Sequence, residues 1–350
     1  MKQPTTRRNT WPRRVLWLVA ALWLVFPLPV LAQEGALNYN VTPVFPQSQA
    51  QDNQSYFDLA LDPGETETLS LKLQNLRQEP IELAVTAHTA YTNVLGVVEY
   101  GAEAEQADPT LPHSLADLLE EPETITLAAH ETKTIVIDLH MPNEAFDGFL
   151  AGGLRVSEVQ EATEQTPEGE GVAIKNEFSY VVAVLVSNAR ASVTPDLELL
   201  EVFPDQLNYR NVISANLQNF QPAFLNQLAV EATIHRAGEE AVLYEANQEM
   251  MQMAPNSNFN FPISLEGDRF RSGEYVLKMS ATSGNQSWTW EREFTIEADE
   301  ARALNRQDVT IDTSINWWMV GAIVSIIALI GVVLSLVIQK KNQNEAEKEK

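Results

Sequence analysis

Cysteine does not occur anywhere in the 350 residues. The chain therefore has no disulfide, no thiolate ligand for a metal ion and no cysteine nucleophile. Exported domains often depend on disulfides, and this chain is expected to fold without them.

Catalytic signatures are also missing. None of the five histidines stands in a His-Glu-x-x-His pattern, and no pair has the spacing of a zinc-binding helix. The sequence has no Gly-x-Ser-x-Gly elbow, no phosphate loop and no calcium loop. Carboxylates are so abundant that no catalytic pair stands out. The sequence therefore predicts a protein that is not an enzyme and has no cofactor and no metal site.

Basic residues are scarce between residues 33 and 316. This stretch holds 14 Lys or Arg against 45 Asp or Glu, a formal charge of −31. Such a surface repels phosphate backbones, so nucleic acid is not expected as a partner. Basic proteins and uncharged glycans are compatible with this charge, which also favours solubility by itself.

Long apolar runs are limited to two. Residues 317–338 contain no charged side chain, and as a helix they are about 33 Å long, enough to cross a bilayer. Trp317 and Trp318 stand where aromatic rings prefer the headgroup layer. The run predicts one transmembrane helix near the C-terminus.

Flanking charges predict the orientation of this helix. Lys340 and Lys341 follow the run, and basic residues next to a span stay in the cytoplasm. Residues 339–350 are therefore expected to be a cytoplasmic tail, and the N-terminal ectodomain is expected outside. Near the N-terminus, four arginines precede the second apolar run. The run ends in Val30-Leu31-Ala32, which has the small or apolar residues of a signal-peptide cleavage site. This pattern predicts a cleaved signal peptide over residues 1–32, with an uncleaved anchor as the alternative.

Alternation of apolar and polar residues dominates the stretch between the two runs. Leu69, Leu71 and Leu73 share one face, and similar patterns recur between turn residues. The patterns predict an all-β ectodomain of two tandem immunoglobulin-like antiparallel β-sandwiches. Predicted bounds are 36–159 for the first sandwich, 160–171 for an acidic loop, 172–300 for the second sandwich and 301–316 for a polar stalk. The strand at 176–188 fits either sandwich.

Two further residue sets are candidate contact surfaces. Trp288 and Trp290 lie two residues apart and share one strand face, where they form either a stacking platform for glycans or part of the core. Small residues on one face of the predicted membrane helix allow close approach of another helix. These residues are Gly321, Ser325, Ala328, Gly331 and Ser335.

A glycine-containing segment, residues 90–100, carries a resemblance to a known family. Its Thr-Asn-x-x-Gly-x-x-x-Tyr pattern resembles that of the WxL-interacting proteins of low-GC Gram-positive bacteria. The Asp147-Gly148 pair and the Gly152-Gly153-Leu154-Arg155 segment also resemble that family. The order of signal, two domains, span and basic tail is similar as well. The matching positions are Tyr91, Thr92, Asn93, Gly96, Tyr100, Asp147, Gly148, Gly152 and Gly153.

The resemblance implies a membrane-anchored cell-surface protein that binds WxL-domain proteins and peptidoglycan. The first domain would contact peptidoglycan, and the second a WxL-domain partner or a host surface. The alternative is an adhesin or receptor that binds a host protein or glycan directly. Asn93, Gly96 and the other glycines also suit turns and close backbone contacts, so the matching residues either define the fold or form a binding site.

Overall fold

The computed structural model describes residues 38–50, 55–120, 124–159, 178–190, 192–311 and 317–348. The signal peptide and the acidic loop predicted from the sequence lie outside these residues. Strands outnumber helices among the described residues, and most of the sheets are antiparallel. The all-β prediction is therefore confirmed.

The first sandwich packs a three-stranded sheet, in the order β1-β3-β8, against a five-stranded sheet, β2-β10-β9-β4-β7. All pairings are antiparallel except the parallel pairing of β2 with β10. Two further short strands, β5 and β6, form a separate hairpin. The strands are β1 (Tyr39–Val44), β2 (Phe57–Ala60), β3 (Thr66–Asn75), β4 (Ile81–Thr89), β5 (Tyr91–Thr92), β6 (Val98–Glu99), β7 (Ile125–Leu127), β8 (Thr132–His140), β9 (Leu150–Glu158) and β10 (Ser179–Ser187).

The second sandwich packs a three-stranded sheet, β11-β12-β15, against a four-stranded sheet, β14-β13-β16-β17. Every pairing in it is antiparallel. Its strands are β11 (Leu197–Leu207), β12 (Arg210–Asn219), β13 (Leu225–Arg236), β14 (Val242–Met253), β15 (Ser257–Ser264), β16 (Gly273–Ser283) and β17 (Gln286–Ile296). The strand that fits either sandwich by sequence, β10, hydrogen-bonds within the first one.

Side-chain alternation produces both cores. Leu69, Leu71 and Leu73 on β3 are fully buried, as their period of two predicts. In the second sandwich, Phe259, Phe261 and Ile263 on β15 alternate inward in the same way. Each sandwich therefore has its own contiguous core between its two sheets.

The two sandwiches repeat one topology, which the sequence does not reveal. Removing β2, β5 and β6 from the first leaves the sheets β1-β3-β8 and β10-β9-β4-β7. These correspond strand for strand to β11-β12-β15 and β17-β16-β13-β14 of the second. The repeat predicts that equivalent positions perform equivalent tasks in both sandwiches.

A buried asparagine at the end of the central strand is one such position. Asn75 ends β3, and its Nδ2 donates to the carbonyls of Glu79 and Ala128 at 2.7 and 2.9 Å. Asn219 ends β12, and its Nδ2 donates to the carbonyls of Ala223 and Ala254 at the same distances. Both side chains are 0% exposed. In the first sandwich, the Asn75 amide therefore links the turn after β3 to the segment that leads into β8. In the second, the Asn219 amide links the turn after β12 to the segment that leads into β15.

An insertion distinguishes the first sandwich from the second. Between β4 and β7 the chain runs through β5, β6 and a long loop, whereas a short turn joins β13 to β14. The described part of this loop contains one 3₁₀ turn, Ala116–Leu118. Leu115 and Leu119, on either side of the turn, are buried in the first core.

The prediction of a polar stalk over residues 301–316 is wrong for residues 301–307, which belong to a helix. Helix α1 (Ala298–Gln307) packs on the second sandwich, with Ala301 buried. Asn305 exchanges two hydrogen bonds of 2.8 and 2.9 Å with the backbone of Phe270. Asp308 then accepts a hydrogen bond from the backbone N–H of Asn211 at 2.7 Å. Only a few apolar residues of this helix, such as Ala301 and Leu304, contact the sandwich. The rest of the segment is polar, which is why its composition predicts a stalk.

A long helix, α2 (Trp317–Lys348), ends the described chain. Its stretch Trp317–Ser335 has a mean hydropathy of 2.5 and is long and apolar enough to cross a membrane. None of this stretch is buried against the rest of the protein. An apolar surface of this length is stable in a bilayer and costly in water.

Replacing either strand-end asparagine tests the repeat. We expect Asn75→Ala and Asn219→Ala each to lower the free energy of unfolding by about 2–4 kcal/mol, because buried carbonyls lose their donors. Asn285→Ala is the control, since Asn285 is exposed in a turn, and it should change stability by less than about 0.5 kcal/mol. Urea unfolding of the full chain in detergent measures all three. A neutral effect at one of the two buried positions would contradict their equivalence.

Candidate functional site

The β5–β6 hairpin of the insertion is built around one asparagine. Asn93 Oδ1 accepts hydrogen bonds from the backbone N–H groups of Leu95 and Val97 at 2.9 and 3.1 Å. Its Nδ2 donates to Glu99 at 2.7 Å. Gly96 completes the turn with a φ of +66°, which glycine adopts without strain. The hairpin is therefore a rigid projection from the first sandwich.

The tip of this hairpin contacts the second sandwich. The backbone carbonyl of Gly96 accepts a hydrogen bond of 2.7 Å from the N–H of Gln252. Thr92 Oγ1 accepts one of 3.0 Å from the N–H of Ala254 and shares one of 2.6 Å with Ser257. A Cβ on Gly96 would lie 2.5 Å from the side chain of Met251. Close packing against another domain thus adds a second reason for glycine at position 96.

A buried carboxylate forms the centre of the same contact. Asp108, in the loop after the hairpin, accepts hydrogen bonds from Gln218 at 2.9 Å and from Asn258 at 2.6 Å, both in the second sandwich. It also accepts bonds from the backbone N–H and hydroxyl of Thr110. Burial works to raise the pKa of Asp108, but the bonds from Asn258, Thr110 and Gln218 outweigh it and hold the pKa below its ordinary value. The carboxylate is therefore ionised and fully engaged at neutral pH.

A tight turn before β9 makes a second contact between the sandwiches. Gly148 has a φ of +70°, and a Cβ there would lie closer than 3.0 Å to the carbonyl oxygen of Pro222. The next residue, Phe149, donates its backbone N–H to that carbonyl at 2.8 Å. Asp147 is exposed beside this turn.

The remaining glycines of the family pattern hold the insertion against the first sandwich. On β9, a Cβ at Gly152 would lie 2.6 Å from the side chain of Leu115 in the insertion, and a Cβ at Gly153 would meet the carbonyl of Tyr100. Burial raises the pKa of Tyr100 to about 12. These glycines let the insertion pack directly on the sheet backbone.

Of the family pattern, Thr92, Gly96 and Gly148 thus lie at the junction between the sandwiches. Gly152 and Gly153 lie where the insertion packs on the first sandwich. The sequence analysis did not single out Asp108, because an isolated aspartate among 48 acidic residues carries no distinguishing pattern.

A small cavity of about 90 Å³ adjoins the junction, lined by Tyr91, Glu103, Asp108, Ser114 and Asn256 among others. Asn256 is 5% exposed, and its Oδ1 has no hydrogen-bond partner among the described residues. The volume fits a few small polar molecules, since water occupies about 30 Å³ in the liquid. Within the described ranges, no group of three His, Cys, Asp or Glu side chains is placed to hold a metal ion.

The tryptophan pair does not form an exposed platform. Trp288 and Trp290 lie on β17, and both rings are partly buried against the second core. The indole N–H of Trp288 donates to Asp196 at 2.8 Å. The period of two places both rings on one face, as expected, but that face is the inner one.

The small residues of α2 lie on an exposed helix surface. A Cβ at Gly321 or Gly331 would meet nothing within 4 Å. The hydroxyl of Ser325 donates to the carbonyl of Gly321 at 2.7 Å, as serine often does in apolar helices. A contact of Gly321, Ser325, Ala328, Gly331 and Ser335 with another membrane helix stays a prediction.

Comparison with known proteins gives two family matches, and the second of them includes β10 of the first sandwich. Residues 39–158 match the family described as WxL Interacting Protein, peptidoglycan binding domain. Residues 169–306 match the family described as WxL Interacting Protein, host binding domain. No curated protein matches the chain.

Several of the solved structures with low similarity are bacterial chaperones. The E. coli chaperone DraB is 13% identical, with 73% of this chain and 96% of that chain covered and a TM-score of 0.26. The Pseudomonas aeruginosa chaperone CupB2 is 12% identical over 67% and 95%, with a TM-score of 0.27. The CsuC–CsuE complex of Acinetobacter baumannii is 10% identical over 73% and 98%, with a TM-score of 0.29. These scores are too low to support an inference about this chain.

Gly148 offers a direct test of the junction. Gly148→Ala and Gly238→Ala both place alanine at a positive φ, of +70° and +77°, but only at Gly148 would the Cβ meet another group. The backbone strain of about 1–2 kcal/mol is common to both. We expect Gly148→Ala to lose at least about 2 kcal/mol more in urea unfolding, because the Cβ drives Pro222 away. Equal losses would show that the contact contributes nothing.

Asp108 makes the junction sensitive to pH. Because its folded pKa lies below the ordinary 3.8, its stabilisation is fully present above about pH 4 and disappears as the pH falls through the lower folded value. At pH 7, Asp108→Asn should cost about 2–3 kcal/mol, since its amide faces donors. The difference from wild type should shrink progressively at acid pH. A pH-independent difference in unfolding free energy would contradict this role.

Proposed function

The chain belongs to the WxL-interacting protein family, and on this premise we propose that it is a membrane-anchored assembly protein for wall-associated WxL-domain proteins. Its domains are those of a surface binding protein, one for peptidoglycan and one for host binding. The single observation that supports the proposal most is their tandem order ahead of one apolar helix, Trp317–Ser335. We expect the N-terminal side of that helix to lie outside the cell and residues 339–350 inside.

The proposed arrangement puts the second sandwich next to the membrane. Ile311 is buried in the part of the chain that packs on this sandwich, and the apolar helix begins at Trp317. The six intervening peptide steps reach at most about 22 Å. A binding surface on the second sandwich would therefore act at the inner side of the wall, with the first sandwich further out.

This position favours a WxL-domain protein as the partner of the second sandwich. A tether raises the effective concentration of a binding surface for partners in the same layer, without tight intrinsic affinity. Proteins already held at the wall are in that layer, whereas a host surface is not. The junction would add to the effect, because it fixes the peptidoglycan-binding sandwich relative to the partner-binding one.

Direct binding of a host protein or glycan is the second candidate. It is supported by the description of the family that matches residues 169–306, a host binding domain. On this alternative, the second sandwich would have to reach the outer surface in spite of its short connection to the apolar helix.

Binding by the full chain in detergent micelles tests the proposal. We expect calorimetric titration to give saturable binding to a purified WxL-domain protein, and sedimentation to give binding to purified sacculi. Raising the salt from about 0.1 M to about 1 M shortens the screening length from about 10 Å to about 3 Å. The partner contact should weaken in this range because the chain is strongly acidic. Binding to neither the WxL-domain protein nor sacculi would leave the host-surface alternative ahead.

A further inference from the structure

Strand β14 has an open edge. It is the outermost strand of its sheet and pairs with β13 on one side only. On its other side, the first sandwich contacts only its C-terminal part, where the backbone N–H of Gln252 and the side-chain amide of Gln248 donate to the hairpin carbonyls of Gly96 and Leu95. Nearer its start, the Tyr244 hydroxyl donates to the side chain of Asp268 at 3.3 Å, and no described residue bonds the outer backbone groups there. In the described part of the chain, residues 242–247 therefore present backbone N–H and C=O groups that no other strand meets.

Most other sheet edges in the described ranges are covered by specific contacts. The edges of β11 and β17 lie against each other. On β17, Trp288 donates to Asp196, just before β11, and Arg292 donates to the carbonyl of Leu199 on β11. The edge of β15 meets the hairpin of the first sandwich through Ser257. In the first sandwich, Leu119 bridges to β8 and Gln49 bridges to β2. Among the edges without such cover, β1 has six residues and the open part of β14, residues 242–247, has the same length. The side chains on and beside β14 distinguish its edge from that of β1.

The side chains of β14 alternate in chemistry. Tyr244 and Ala246 are partly buried and pack against the second core. Glu245, Asn247 and Glu249 alternate with them and are exposed on the outer face of the sheet. A strand laid beside β14 would therefore have one face against apolar groups and the other against carboxylates.

A trough lies on this outer face, immediately beside the edge. Its volume is about 910 Å³, within the range of ligand clefts. Glu231, Glu245 and Glu291 line it around a single lysine, Lys278. Among the described residues, none of these four side chains forms an ion pair, although Lys278 and Glu291 are cross-strand neighbours. The trough thus favours basic side chains.

We propose that residues 242–247 are the docking edge for an extended segment of a protein partner, in which basic and apolar residues alternate, with Glu249 next to this edge on the outer face. The segment adds to the sheet as a fifth strand, with its backbone bonded to β14. Its basic side chains enter the trough, and its apolar side chains extend the core next to Tyr244 and Ala246. This inference rests on the proposed role of the second sandwich in binding a protein partner.

Charge excludes a second copy of the chain as the occupant. Two β14 edges placed side by side would bring Glu245 and Glu249 of each copy together, and like charges opposite each other destabilise a strand pair. An anionic lipid surface is repelled for the same reason. An uncharged glycan has hydroxyl groups but no row of N–H and C=O groups at strand spacing, and it brings no positive charge to the carboxylates of the trough.

Hydrogen exchange on the full chain in detergent micelles tests the docking edge. The probe is a synthetic ten-residue peptide of alternating Lys and Val, compared with one of alternating Glu and Val. We expect the Lys–Val peptide to slow amide exchange selectively within residues 242–247, and the Glu–Val peptide to have no effect. Slowing elsewhere in the chain, or equal slowing by both peptides, would overturn the inference.

Paired charge reversals separate this edge from general attraction to an acidic protein. Glu245→Lys with Glu249→Lys should weaken peptide binding at least tenfold. The control is Glu198→Lys with Glu201→Lys, which makes the same charge change at exposed positions of β11 and should leave affinity within twofold. Both double variants should keep the wild-type thermal midpoint by circular dichroism.

The same variants distinguish the inference from the proposed function. Loss of WxL-domain binding in Glu245→Lys with Glu249→Lys, but not in the control, supports the docking edge. Unchanged WxL-domain binding in that variant would overturn the docking edge and leave the proposed function intact.

Discussion

The contact between the two sandwiches is the constraint on which the rest of the structure depends. Asp108 is nearly buried, and a carboxylate in that position is tolerated only because donors surround it. Two of those donors, Gln218 and Asn258, belong to the other sandwich. Separating the sandwiches would leave these polar groups without their partners, so the junction is strong in the paired state and costly to open partway.

The insertion that carries Asp108 gives a tandem repeat a defined geometry. Both sandwiches have the same topology, but only the first has the long segment between β4 and β7. That segment covers the edge of β15 and the end of β14, and it leaves residues 242–247 open. One structural addition therefore joins the domains and, on our proposal, determines which edge receives a partner. The packing of α1 then holds the second sandwich close to the apolar helix.

Sequence patterns predicted the parts of the fold that depend on local periodicity. The alternation at Leu69, Leu71 and Leu73 gave a correct strand and a correct inward face. The unusual demands on Gly96 and Gly148 were also visible, because turns favour glycine. The residues that these glycines lie next to could not be predicted. Thr92 and Ser257, for example, hydrogen-bond to each other across 165 residues of sequence, and no local pattern encodes such a contact. Trp288 and Trp290 show the same limit, since a period of two fixes a shared face but not which face is buried.

The most direct test of the junction is the distance between the sandwiches in solution. Because the chain has no native cysteine, spin labels at Lys72→Cys and Glu274→Cys, both at exposed positions, would report on one sandwich each. Pulsed electron resonance on the full chain in detergent then gives the distribution of distances between the labels. We predict a single narrow distribution at neutral pH. A broad distribution, typical of two domains on a flexible linker, would contradict the account.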